Sequence, residues 1–126
     1  MSQVLAVSGA LAHLPDRPRR SILAFFPAVE EQGILGSQYF ANSGAFHPGS
    51  MVADINFELG NLWGRTRDVI VHGKGKNSLD QLIEAAARYQ GRTVVDEADP
   101  RAGWYYRSDQ LNFAKIGVPA LYFKPG

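Results

Sequence analysis

The stretch SILAFFPAVEEQGILGS, residues 21–37, decides how the rest of the chain reads. It starts as a nearly unbroken apolar run, residues 21–29, and stops at two adjacent carboxylates, Glu30 and Glu31, followed by Gln32 and Gly33. A short apolar run closed by turn residues predicts a strand covered on both faces. The two acids then have two readings. They can open the next helix, where negative charge favours the positive end of the helix dipole. Or they can sit in a tight turn beyond the strand, with both side chains directed into one cleft.

Working outward, the same alternation repeats. Apolar runs at 51–59 (MVADINFEL), 68–73 (DVIVHG), 92–97 (RTVVDE) and 119–124 (PALYFK) predict four more strands. Helical spacing predicts helices over 2–13, 34–44, 78–90 and 110–117. In the clearest of these, Ser78 and Gln81 form a capping box, Leu79, Leu82, Ile83, Ala86 and Tyr89 share a face, and Gly91 ends the helix. Strands alternating with helices predict an α/β fold: a three-layer α/β/α sandwich around a mixed, mostly parallel sheet of about five strands. At 126 residues the chain has room for one core and one domain, 1–126.

Composition narrows the function classes. Thirteen basic and 12 acidic residues leave a net charge of +1, too weak a field to predict a nucleic acid or a membrane surface as partner. With no cysteine, neither disulfides nor thiolate metal ligation is available. The N-terminal stretch has no basic region before its apolar part and reads as an amphipathic helix, not a signal peptide. No apolar run reaches the length of a transmembrane span.

In open α/β sheets, ligands bind beyond the carboxyl ends of strands, where Glu30, Glu31 and Glu58 all fall. Two neighbouring carboxylates suit metal-assisted hydrolysis, one holding the ion and the other taking a proton from the bound water. RRSILAFFPAVEEQGILGSQYFA (19–41), VADINFELGNLWGRTRDVIVHGKGK (52–76) and GWYYRSDQLNFAKIGVPALYFKPG (103–126) together resemble segments of the M28 family of zinc peptidases, the aminopeptidase-type co-catalytic metallopeptidases. The family form Ala-Glu-Glu-x-Gly-x-x-Gly-Ser differs here only at Val29.

The resemblance implies release of N-terminal residues from peptide substrates by a zinc-activated water. Glu30 matches the general base and Glu31 a zinc ligand. Glu58 stands where the family has an aspartate ligand, and Gln110 where it has histidine. A glutamine amide is a poor replacement for imidazole at zinc. The family's two upstream ligands, a histidine and an aspartate, have no counterpart in residues 1–20, so the chain is expected to be a partial domain, its C-terminal part. Weak or absent zinc binding and impaired or absent hydrolysis are therefore expected. The alternative is a non-catalytic peptidase-like domain acting in binding or in self-association through an exposed sheet edge or apolar surface.

Trp104, Tyr105, Tyr106 and Arg107 are candidates for the rim of a substrate cleft in that resemblance, and for cover of a sheet edge otherwise. Asp109 reads as the cap of the helix that follows. His13, His47 and His72 lack ligand spacing, and VHGKGKNS (71–78) reads as a solvated turn.

Overall fold

The computed structural model describes residues 1–58, 60 and 64–126. A four-stranded sheet organises the molecule, built from β1 (Asp54–Phe57), β2 (Asp68–His72), β3 (Thr93–Asp96) and β4 (Ala120–Pro125) in the spatial order β1-β4-β2-β3. β1 runs parallel to β4 and β2 parallel to β3, while the central pair β2 and β4 is antiparallel, so the sheet is mixed. Leu59, the last residue of the expected strand 51–59, lies outside the described residues.

Side chains alternate across the sheet. On one face Val71 and Leu121 pack under α3 (Leu79–Tyr89), through Leu79 and Ile83, to form the apolar core. The other face carries Asn56, Tyr122 and His72 and lies beneath α4 (Gln110–Lys115), which itself packs on α2 (Leu35–Asn42). Helices thus cover both faces, as the alternation of elements predicts.

Some expectations fail in detail. The capping box does not form: Ser78 makes no side-chain cap bond, and Asn77 Oδ1 accepts from the Leu79 N–H at 2.9 Å instead. The buried stripe of α3 is Leu79, Ile83 and Ala87, with Leu82 and Tyr89 in solvent. Gly91 does end the helix. At φ 67° it lets its own N–H reach the Arg88 carbonyl and the Arg92 N–H reach that of Ala87, the paired bonds of a Schellman ending.

The larger departure is the segment 21–29, which forms no strand. It runs over the surface with Ile22, Leu23 and Phe26 exposed, and Phe25 anchors it against the rings of Phe40 and Phe113 at 4.5 and 6.0 Å. An apolar run favours extended backbone, but a strand also needs a neighbour for its N–H and C=O groups. α1 (Ser2–Ala12) buries none of its residues, so its apolar positions do not make the core-facing stripe their spacing suggests. Among the described residues, no helix is long and apolar enough to cross a membrane.

Candidate functional site

The turn after residue 29 settles the first question about the two acids. α2 begins at Leu35 and has no acid in its first turn, so Glu30 and Glu31 do not cap a helix. They occupy a hydrogen-bonded turn in which the Glu30 carbonyl accepts from the N–H groups of Gly33 (3.1 Å) and Ile34 (2.8 Å). Val29 enters it at φ 62° and Ile34 leaves it at φ 52°, left-handed conformations that cost a β-branched residue energy. Burial raises the Glu30 carboxyl above its ordinary range, and the charges of Glu31, Glu58 and Asp109 raise it further. The acids separated in sequence therefore share one electrostatic field.

Glu58 follows β1 and is held at both oxygens. The Ser108 hydroxyl donates to Oε1, and the Tyr122 hydroxyl donates to Oε2 at 2.9 Å. Tyr122 stands in the field of Glu58, Glu30 and Glu97; with burial as the larger cause, its phenol is pushed well above its ordinary value. Asn56 Nδ2 donates to Ser108 Oγ at 2.7 Å and to Gln110 Oε1 at 3.0 Å. Gln110, fully buried, passes its own Nε2 to the Tyr105 carbonyl at 2.6 Å. Both ends of the glutamine amide are thus committed inside the protein.

A row of polar side chains crosses the sheet in register. Asn56 pairs with Tyr122 and Tyr122 with His72, whose ring stacks on the phenol at 4.5 Å. His72 Nδ1 meets Glu97 Oε2 at 2.8 Å, and the Gly73 N–H donates to Glu97 Oε1 at 3.4 Å. His72 is therefore a packed, paired histidine. Tyr122, Ser108, Asn56 and Glu97 are the members that sequence reading missed; strand register identifies Asn56 and Tyr122, and side-chain hydrogen bonds identify Ser108 and Glu97.

Asp109 does not cap α4 with its side chain. Burial raises its carboxyl, an effect that Ser37 partly offsets and Glu58 reinforces. Asp54 lies two residues before Asn56 on the same face. Burial first, and the charge of Asp109 second, push its carboxyl up to about 7, from an ordinary value of 3.8. Its buried Oδ2 has no hydrogen-bond partner among the described residues. Between those two values the folded protein keeps a proton that the unfolded chain has lost, so stability falls as pH rises from about 4 to about 7. Asp54→Asn is expected to raise stability by about 2 kcal/mol at pH 8. It should also flatten that slope in urea unfolding across the range.

The cleft candidates Trp104, Tyr105, Tyr106 and Arg107 form a short 3-10 helix immediately before Ser108. Tyr105 is buried, while Trp104, Tyr106 and Arg107 are exposed. Tyr105 is thus part of the buried interior, while the other three side chains face solvent.

As a zinc site the arrangement does not fit. Among the described residues, no group of three or more histidine, cysteine, aspartate or glutamate side chains converges to hold a metal ion. Glu58 already accepts from two hydroxyls, and Gln110 is buried with its amide held between Asn56 and the Tyr105 carbonyl. What the site offers is an acidic cluster in which the Glu30 and Asp109 carboxyls have raised proton affinity. A family model for Peptidase family M28 matches residues 1–126. No curated protein and no solved structure matches the chain.

Proposed function

The chain belongs to peptidase family M28, and from that premise we propose that it binds peptides by their amino end and cleaves them poorly or not at all. Its function is peptidase-like in kind. The finer reading is that Glu30, Glu31 and Glu58 receive the N-terminal ammonium of a peptide, where an ancestral enzyme would have used a zinc-activated water for aminopeptidase chemistry. One observation carries this reading. Gln110, at the position that resembles a histidine ligand, is fully buried with both amide ends bonded, to Asn56 and to Tyr105. A residue locked in that way supports the fold of the site and supplies no ligand. The raised proton affinity of Glu30, in the field of Glu31 and Glu58, supports an acidic place for that ammonium.

The test titrates zinc into metal-free protein at neutral pH, beside the Glu31→Ala variant, and measures peptide binding and cleavage. Zinc affinity weaker than micromolar, no cleavage, and at least tenfold weaker binding of an N-acetylated peptide than of its free-amine form are expected. Micromolar zinc binding that disappears in Glu31→Ala, together with cleavage, would restore the enzyme reading.

A second reading has its own observation. β1 is an edge strand with Ile55 exposed, and the segment 21–29 presents Ile22, Leu23 and Phe26 as further apolar surface. Self-association through the β1 edge predicts a dimer whose formation depends on Ile55.

A further inference from the structure

Around the acidic cluster lies a feature of opposite sign. Four cation–ring contacts converge on three consecutive aromatic residues. Arg107 sits over Trp104 at 4.9 Å and Lys124 over the same ring at 5.7 Å, while Lys76 stands 5.2 Å from Tyr105 and 4.9 Å from Tyr106. Lys76 also donates to the Tyr106 hydroxyl at 2.8 Å. Significant contacts of this kind occur roughly once per 70–80 residues, so four of them on one short helix are a concentration.

The three cations share a second property. None forms an ion pair among the described residues, although neighbouring Lys74 pairs with Glu84 and Asp96, and Arg101 with Asp99. The carboxylate whose charge Lys76 feels is Glu97, and Glu97 is already engaged by His72 and the Gly73 N–H. Ring faces hold a cation in place without neutralising it. Lys76 and Arg107 are exposed and Lys124 partly so, leaving their charge open to solvent.

Position relates these cations to the acids. Arg107 directly precedes Ser108, whose hydroxyl holds Glu58. Lys124 lies two residues beyond Tyr122 on β4, on the same face and about 7 Å along the strand, and Tyr122 holds the other oxygen of Glu58. β1 and β4 pair in parallel with Phe57 opposite Phe123, so the residues that follow, Glu58 and Lys124, are neighbours across the two strands, and a negative and a positive group stand side by side at their carboxyl ends.

We propose that Lys76, Arg107 and Lys124 form an anion subsite beside the acidic cluster, so that the chain selects short peptides carrying a free amine at one end and a carboxylate one or two residues away. This rests on the peptide-binding reading and specifies its ligand. The carboxylate comes either from an acidic side chain or from the C-terminus of a dipeptide, and two pairs of probes separate the sources. Ala-Glu-amide against Ala-Gln-amide reads the side chain. Ala-Ala against Ala-Ala-amide reads the C-terminus.

Dissociation constants for all four peptides are measured by calorimetry at low salt. They are repeated at 0.5 M NaCl and with the double variant Arg107→Gln, Lys124→Gln. The carboxylate member of at least one pair is expected to bind about five- to tenfold more tightly, the gain of one or two partly solvated ion pairs. That preference should fall below twofold in the double variant and in high salt. If all four peptides bind with equal affinity, or if the preference survives the double variant, the anion subsite is overturned while peptide binding stands. If none of the four binds, both readings fall. Lys76→Gln, an exposed substitution on a separate loop, repeats the comparison should the double variant fold poorly.

Discussion

Gly36→Ala is expected to destabilise the fold by about 3 kcal/mol or more, although the substitution lies within a helix. At an ordinary helical position, alanine in place of glycine stabilises by up to about 1 kcal/mol. Here a Cβ would overlap the Ala28 carbonyl oxygen and stand 2.8 Å from the Ala28 nitrogen. Both are backbone atoms, which cannot rotate away as the end of a long side chain can. The Gly36 N–H also donates to that same carbonyl at 3.1 Å, so separating the two segments of chain breaks a bond as well. Because residue 28 leads directly into the turn bearing Glu30 and Glu31, peptide binding should weaken in parallel. Urea unfolding at constant m-value checks the first effect. A variant as stable as the parent would show that the 28–36 contact is not maintained in solution.

Gln110→Leu is expected to cost about 3 kcal/mol. The side chains are similar in volume, so cavity formation contributes little. The loss is polar: the Tyr105 carbonyl loses its 2.6 Å donor and Asn56 loses one of two acceptors, around a side chain that is itself fully buried. A buried group left without its partner costs more than the bond contributed when made. Asn56 is also the donor that orients Ser108 toward Glu58, so the rearrangement should reach the acidic cluster. Thermal unfolding gives the stability change, and affinity for a free-amine peptide gives the functional one. Unchanged stability and affinity in the Gln110→Leu variant would mean that Gln110 does not organise the site.

The identity of most elements, though not of 21–29, was legible because short apolar runs and helical spacing are local properties. Residues 54–57, 68–72, 93–96 and 120–125 form strands in close agreement with the runs that predict them, and 79–89 a helix. Membership of the peptidase family was legible for a similar reason: its motifs are contiguous, and the family match spans residues 1–126. Caps were read less well. Asn77, not Ser78, satisfies the start of α3, and the Asp109 side chain makes no cap bond at α4, because which side chain reaches an N–H depends on backbone angles that residue type does not fix.

The sequence by itself determined that an α/β sheet forms and that the chain belongs to its peptidase family. Only the tertiary structure decided what those residues touch. Residues 21–29 had the composition of a buried strand, yet lie on the surface and join no sheet, since a strand exists only through a hydrogen-bonded neighbouring strand. Tyr122 and Ser108 came to Glu58 from positions 64 and 50 residues away, through strand register and the approach to α4. Gln110 became a buried brace instead of an open ligand because Asn56 and the Tyr105 carbonyl meet its two ends. Such pairings are set by strand register and helix packing, which bring distant residues into contact, and local sequence pattern does not encode that distance.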